Sequence, residues 1–218
     1  MKLLFRPLRW AYALVRHFGV VDVRWLLHAP SQHIAPAQQP AGYEIRCVPM
    51  GELAELIRAG RVDRRVGDYR TLEHADRRLI AAYKGSRIVS FAWLANQTLA
   101  GRDNASRWRH LGTSVEVPDG SSFVYNAWTD PDHRGNRLVA ALLRWALRNG
   151  VGGAWSVATM IDWTNDESKR AFQQLGMRRL GLVIRIGRGP LQFSLLPAAA
   201  TSVGMRVGRD APGVKLAS

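Results

Sequence analysis

The chain has 218 residues, with 31 Lys and Arg against 17 Asp and Glu, a formal net charge of +14. With 47% hydrophobic and 22% charged residues, it has the balance of a folded protein and excludes a disordered one. The length allows one buried core of roughly 150 residues plus extensions. The charge surplus favours anionic partners, whether phosphate-bearing cofactors, acidic headgroups or nucleic acid, without choosing among them.

Residues 1–28, "MKLLFRPLRWAYALVRHFGVVDVRWLLH", are apolar but interrupted by Lys2, Arg6, Arg9, Arg16 and Arg24. No run approaches the ~18 apolar residues of a membrane-spanning helix, and the recurring charges break the centre a signal peptide needs. A helix with Leu4, Leu8, Tyr12 and Val15 on its apolar face, and Trp10 and Leu14 beside them, has two readings. It lies flat on an anionic membrane with its arginines at the headgroups, or it packs on the domain or a partner chain. Residues 29–42, "APSQHIAPAQQPAG", read as a linker, so that residues 1–42 form a basic N-terminal segment and residues 43–196 the domain.

"YEIRCV" alternates as a strand and turns Tyr43, Ile45 and Cys47 to one face. Cys47, the single cysteine, reads as a small core residue; it excludes an internal disulfide or Cys-rich metal site and is compatible with a reducing compartment. Leu53, Leu56 and Ile57 have helical spacing before Gly60, and a second helix is expected before Asp76. Residues 77–83 and 87–95 read as a hairpin around Lys84-Gly85-Ser86. The stretch from Asn96 to Gly120 is long, polar and rich in turn residues, with only "TSVEV" strand-like. Such a connection is a functional loop or an insertion.

"SSFVYNAWT", residues 121–129, is a strand that runs into "TDPDHRGNRLVAALLRWALRNG". A strand that ends in Asp-Pro-Asp, turns through Arg-Gly-Asn-Arg and enters a helix leaves backbone N–H groups unpaired at one point, with the helix dipole aimed there. That is an anion site suited to a pyrophosphate, reinforced by Arg134 and Arg137. The helix stops at Asn149-Gly150. A strand over 154–162 follows, then a short helix with Thr164 and Glu167 at capping-box spacing and Gly176 at its C-terminal cap. Two strands around Gly187-Arg188-Gly189 close the domain, and residues 197–218 read as a mobile tail.

This order of elements resembles the GNAT superfamily of acyl-CoA-dependent N-acyltransferases, as do three stretches: "LIAAYKGSRIVSFAWL", "TDPDHRGNRLVAALL" and "TNDESKRAFQQLGM". They are similar to the family's second and third strands, its acyl-CoA pyrophosphate motif and its later Asn-containing segment, and cover about residues 43–190. The resemblance implies an α/β (α+β) fold: a mixed, mostly antiparallel sheet of six to seven strands, with two splayed central parallel strands and flanking helices. It also implies acetyl-CoA or another acyl-CoA as co-substrate, an amine-bearing acceptor, a cytoplasmic protein that is a monomer or homodimer, and no metal.

By the same resemblance Ala127, Trp128 and Thr129 meet the pantetheine arm. Arg134, Gly135, Asn136, Arg137, Leu138 and Val139 hold the pyrophosphate, and Asn165, Ser168 and Phe172 approach the cofactor. Asn165 has a second reading, as the cap of the short helix. Arg137 and Val139 stand where the family motif has glycines, and Phe172 where it often has an acidic Tyr. His133 is expected to pack beside the phosphate turn. N-acyl transfer needs a neutral amine, a donor to the carbonyl oxygen and a proton for the leaving thiolate. Tyr125 is the candidate acid, and Asp162 and Glu116 are the candidate bases. A long-chain or carrier-bound acyl donor, and a non-catalytic CoA-sensing module, are the alternatives. Scattered arginines without a known DNA- or RNA-binding signature speak against nucleic acid.

Overall fold

The computed structural model describes residues 5–34, 40–67, 76–105, 108–188, 191–203 and 206–209. Its main sheet has eight strands in the order β10-β9-β1-β8-β7-β4-β3-β2. These are β1 (Val21–Pro30), β2 (Glu44–Cys47), β3 (Arg77–Lys84), β4 (Arg87–Ala95), β7 (Ser121–Thr129), β8 (Ser156–Asp162), β9 (Arg178–Arg188) and β10 (Leu191–Leu195). Every pairing is antiparallel except β7 with β8, which run parallel from Ser121/Ser156 to Val124/Thr159. The mixed, mostly antiparallel architecture is the expected one, with eight strands in place of six or seven.

Helix α1 (Phe5–His17) precedes β1, α2 (Met50–Arg58) follows β2, α3 (Leu138–Arg148) follows β7 and α4 (Asp166–Gln174) follows β8. Helix α3 buries Leu138, Ala141, Leu142 and Leu143, the apolar stripe of a 3.6-residue period, against Ile80, Ala92, Leu94 and Val124 of the sheet. On the other face Leu53 and Leu56 of α2 share a core with Leu79, Phe91, Trp93 and Phe123.

Three regions differ from the sequence reading. Residues 21–30, expected as the end of an N-terminal helix and the start of a linker, form β1 in the interior of the sheet between β8 and β9. The proposed boundary at residue 42 therefore has a sheet strand on its N-terminal side. The charges that hid this strand, Asp22 and Arg24, are buried and satisfy each other: Arg24 Nε lies 2.8 Å from Asp22 Oδ2. Arg24 also donates to Asn104 O at 2.7 Å and to Thr113 Oγ1 at 3.1 Å, tying the 96–120 stretch to the sheet.

That stretch carries β5 (Thr98–Leu99) and β6 (Thr113–Glu116), and with β11 (Arg206–Arg209) they form a second sheet in the order β11-β6-β5. The expected mobile tail thus includes a strand, and Leu99 and Val115 bury against the main core. Of the stretch expected to carry a second helix before Asp76, the described part holds a 3-10 turn over Arg64–Val66, and residues 68–75 lie outside the described ones.

Candidate active site

The parallel pair parts after Val124 and Thr159, and the C-terminal halves of β7 and β8 open into a cleft of about 910 Å³. Beyond that point β7 pairs only with β4 and β8 only with β1, so each leaves one backbone edge toward the cleft. The edge of β7 is bent: Asn126 and Ala127 stand opposite the single residue Ala92, and Asn126 has φ +47°. This is a β-bulge with a left-handed first residue. Asn126 Nδ2 donates to Arg65 O at 2.7 Å, holding the 64–66 turn over the bulge.

One end of the cleft is the mouth of α3. Asp130 caps a short turn by accepting from Asp132 N at 3.1 Å, Gly135 has φ +82°, and Asn136 Nδ2 donates to His133 O at 3.0 Å. Arg137, at φ +54° and ψ +31°, sits at the helix N-cap with no side-chain cap. The first helical bond runs from Ala141 N to Arg137 O at 3.0 Å, so the N–H groups of Leu138, Val139 and Ala140 lie ahead of it. All three residues line the cleft.

Positive charge gathers at this mouth. Arg134 and Arg137 are exposed and pair with no carboxylate among the described residues. Arg144, one helical face along, is half-buried with its Nε lacking a hydrogen-bond partner among the described residues. Burial first, and then the charge of Arg137, push its guanidinium below the ordinary arginine value. A cation destabilised in this way is relieved by an anion.

At the other end lies Tyr125. Its ring stacks on Trp93 with centroids 6.1 Å apart, and Trp93 Nε1 donates to Val66 O at 2.7 Å. The Tyr125 hydroxyl is buried, lines the cleft and has no hydrogen-bond partner among the described residues. Burial raises the phenol above its ordinary range; the Arg77 guanidinium opposes this, while Asp103 and Asp76 add to it.

Asp103 lines the same end of the cleft, held by its N–H to Ala100 O at 3.0 Å and only 3.9 Å from Arg102 Nε. No sequence signal marks Asp103, because only the folding of the insertion brings it to the cleft.

The fold and this cleft can be set beside known proteins. No protein-family model and no curated protein matches the sequence. Among solved structures, a GCN5-related N-acetyltransferase from Kribbella flavida is similar at 22% identity over 82% of this chain and 63% of its own, with a TM-score of 0.50. A functionally unknown conserved protein from Staphylococcus epidermidis is similar at 12% identity over 80% of this chain and 66% of its own, also at 0.50. This chain thus spans under two thirds of the length of either. The chain has the fold of the GCN5-related N-acetyltransferases.

On this GNAT fold most of the expected cofactor-side residues converge. Ala127, Trp128, Thr129, Arg134, Gly135, Arg137, Leu138, Val139, Asn165, Ser168 and Phe172 all line the one cleft. Asn136 does not, and instead braces the turn. Val139 packs its side chain on the core beneath α3, which leaves its N–H end toward the mouth. Asn165 is the cap of α4, its Oδ1 accepting from Ser168 N at 3.0 Å, so the expected Thr164–Glu167 capping box is not formed. His133 packs beside the turn, its Nδ1 3.0 Å from Tyr43 Oη.

The candidate catalytic residues separate. Tyr125 and Asp162 line the cleft and Glu116, on β6 of the second sheet, does not. Asp162 is occupied by structure: Oδ1 accepts from the N–H and hydroxyl of Thr164, and Oδ2 meets Tyr12 Oη at 3.2 Å and Arg16 at 2.9 Å. Trp93 and Trp128 line the cleft, whereas Trp108 donates to Arg16 O and Trp163 packs on Tyr12. Among the described residues no cluster of three or more His, Cys, Asp or Glu is placed to hold a metal.

Proposed function

We propose that the protein is an N-acyltransferase that moves an acyl group from an acyl-CoA thioester to the primary amine of a small-molecule, amino-sugar or lipid-linked acceptor. The observation that carries this reading is the continuity of the cleft. It begins at a helix mouth with unpaired N–H groups and three arginines, passes the open, bulged edge of β7, and ends at a buried phenol with no partner among the described residues. A pyrophosphate suits the mouth, because oriented amides and guanidinium groups together favour a compact dianion. An amide-bearing arm suits the strand edge, where backbone groups of residues 125–129 are turned away from any strand on that side.

In this assignment Arg134, Arg137 and Arg144 bind the pyrophosphate, and the N–H groups at the start of α3 orient it. The bulge at Asn126–Ala127 holds the thioester in place beside Tyr125. The neutral amine attacks the thioester carbonyl, a C–N bond forms, and the C–S bond breaks. The hydroxyl of Tyr125 gives its proton to the leaving sulfur, and the proton lost by the attacking nitrogen returns through water to the phenolate. Asp103 attracts the acceptor's ammonium and takes its proton through water, in place of Glu116 and Asp162. Because burial holds the phenol above its ordinary value of 10.0, the proton stays on Tyr125 across the neutral range.

A thiol-release assay with acetyl-CoA and a panel of primary amines tests the reading. Amine-dependent release is expected, reduced in both Tyr125→Phe and Asp103→Asn. No release with acetyl, long-chain or carrier-bound donors, despite tight CoA binding, would leave a CoA-sensing module instead.

A further inference from the structure

We propose that the corner of the protein formed by the β9–β10 hairpin and the outer side of α1 docks on an anionic membrane surface. Two independent observations carry this, one of shape and one of charge.

The first is an apolar sheet face that stands open to solvent along β10. Antiparallel partners share a face, and the register sets Phe193 opposite Ile186 and Leu195 opposite Ile184. The same face continues through Val21 and Val23 of β1. Leu191, Phe193 and Leu195 are 73%, 71% and 63% exposed, far above what a packed strand leaves in water. Exposed apolar patches of this kind mark protein or membrane contacts. On α1 and just past its end, Trp10, Leu14 and Phe18 follow at four-residue spacing and are also exposed. The two patches meet at one end of the sheet, where Gly187 N donates to Val20 O at 2.8 Å.

The second is where the charge lies. Residues 1–21 hold four Lys or Arg and residues 168–209 hold eight, with no Asp or Glu in either segment. Residues 22–167 are nearly balanced, with 18 basic against 16 acidic. The net charge of the chain thus belongs almost entirely to its two terminal segments, of which α1 and the β9–β10 hairpin are parts. Arg188 stands across from Leu191, and Arg179, exposed, lies over the Trp25 ring at 4.7 Å on the same side as the apolar row. Apolar side chains bordered by arginines and free of carboxylates match an anionic interface, where burial and attraction act together. A second copy of the chain would bring the same arginines against one another, which the charge disfavours.

The structure also revises how α1 would take part. Arg9 is paired with Asp166 at 2.8 Å and Arg16 with Asp162 at 2.9 Å, so these arginines clamp the helix to the domain and do not reach outward. The contact is made by Trp10, Leu14 and Phe18. Since Asp162 and its neighbour Asn165 line the cleft, docking brings the cleft close to the lipid surface.

Co-sedimentation of the full chain with phosphatidylcholine vesicles and with vesicles containing phosphatidylglycerol tests this without reference to any enzymatic activity. Binding to the phosphatidylglycerol vesicles is expected, weakened by salt and lowered about tenfold by Leu191→Glu with Phe193→Glu. Trp10→Glu should lower it separately, and thermal melting of each variant checks its fold. Equal sedimentation with both vesicle types, or unchanged binding by folded variants, overturns the proposal. So does light scattering that shows a dimer which Phe193→Glu converts to monomer, since the face then belongs to a second copy. Failure here leaves the acyltransferase reading untouched, because thiol release is measured without lipid.

Discussion

The two ends of the cleft hold positive charge in opposite ways. At the mouth of α3, Arg134 and Arg137 are exposed, and the buried Nε of Arg144 has no hydrogen-bond partner among the described residues. At the other end Arg24 is 4% exposed, ion-paired with Asp22, and its terminal nitrogens donate to Asn104 and Thr113. In the proposed assignment the first set meets a ligand that comes and goes; the second is an internal clamp that ties β1 to the 96–120 insertion. An arginine's partners, more than its position beside a cavity, decide whether it binds a ligand or holds a fold.

The largest expected effect breaks the clamp. Asp22→Asn leaves Arg24 as an unpaired buried cation and should lower stability by about 3–5 kcal/mol, read by urea denaturation. The corresponding loss at α3 should leave stability nearly unchanged. Next is the phenol between the two ends. Tyr125→Phe should lower kcat about a hundredfold with little change in CoA affinity, as for loss of a general acid. Its raised value also fixes a pH expectation: the protonated form is favoured in the fold, so no alkaline loss of activity below pH 10.0 should arise from Tyr125.

Asp162 sharpens the comparison further, because it lines the cleft yet belongs to the structural kind. Asp162→Asn should loosen α1 and cost about 1–2 kcal/mol, discounted for the partly exposed Arg16, while kcat for the folded enzyme stays within about threefold. Smallest is Arg137→Gly. A residue with a Cβ at φ +54° carries strain that glycine does not, so this change should stabilise the protein by about 1 kcal/mol in thermal melting. Weaker CoA binding by the same variant would show that the side chain, in addition to the backbone, contacts the phosphates.

What was legible in the sequence was local. The hairpin at Gly85-Ser86, the α3 stop at Asn149-Gly150 and the α4 cap at Gly176 depend on residues within a turn of each other, and all are found where expected. The turn from Asp130 to Leu138 that opens α3 was readable for the same reason. What was hidden depends on distant partners. Strand β1 looks too charged to be buried until Arg24 meets Asn104 and Thr113, about eighty residues on. Asp162 resembles a base until Tyr12 and Arg16 occupy it from the other end of the chain. The tail looked unstructured because β11 exists only by pairing with β6. Asp103 gains its proposed role only when the insertion folds beside Tyr125.

The central claim is that the α3 mouth of the splayed cleft holds the pyrophosphate of an acyl-CoA. Calorimetric titration of CoA into the full chain and into Arg134→Ala tests it most directly. One-to-one binding is expected, displaced by inorganic pyrophosphate and weakened about tenfold in the variant, the loss of one charge-assisted contact. No binding, or equal affinity in the two proteins, would contradict it.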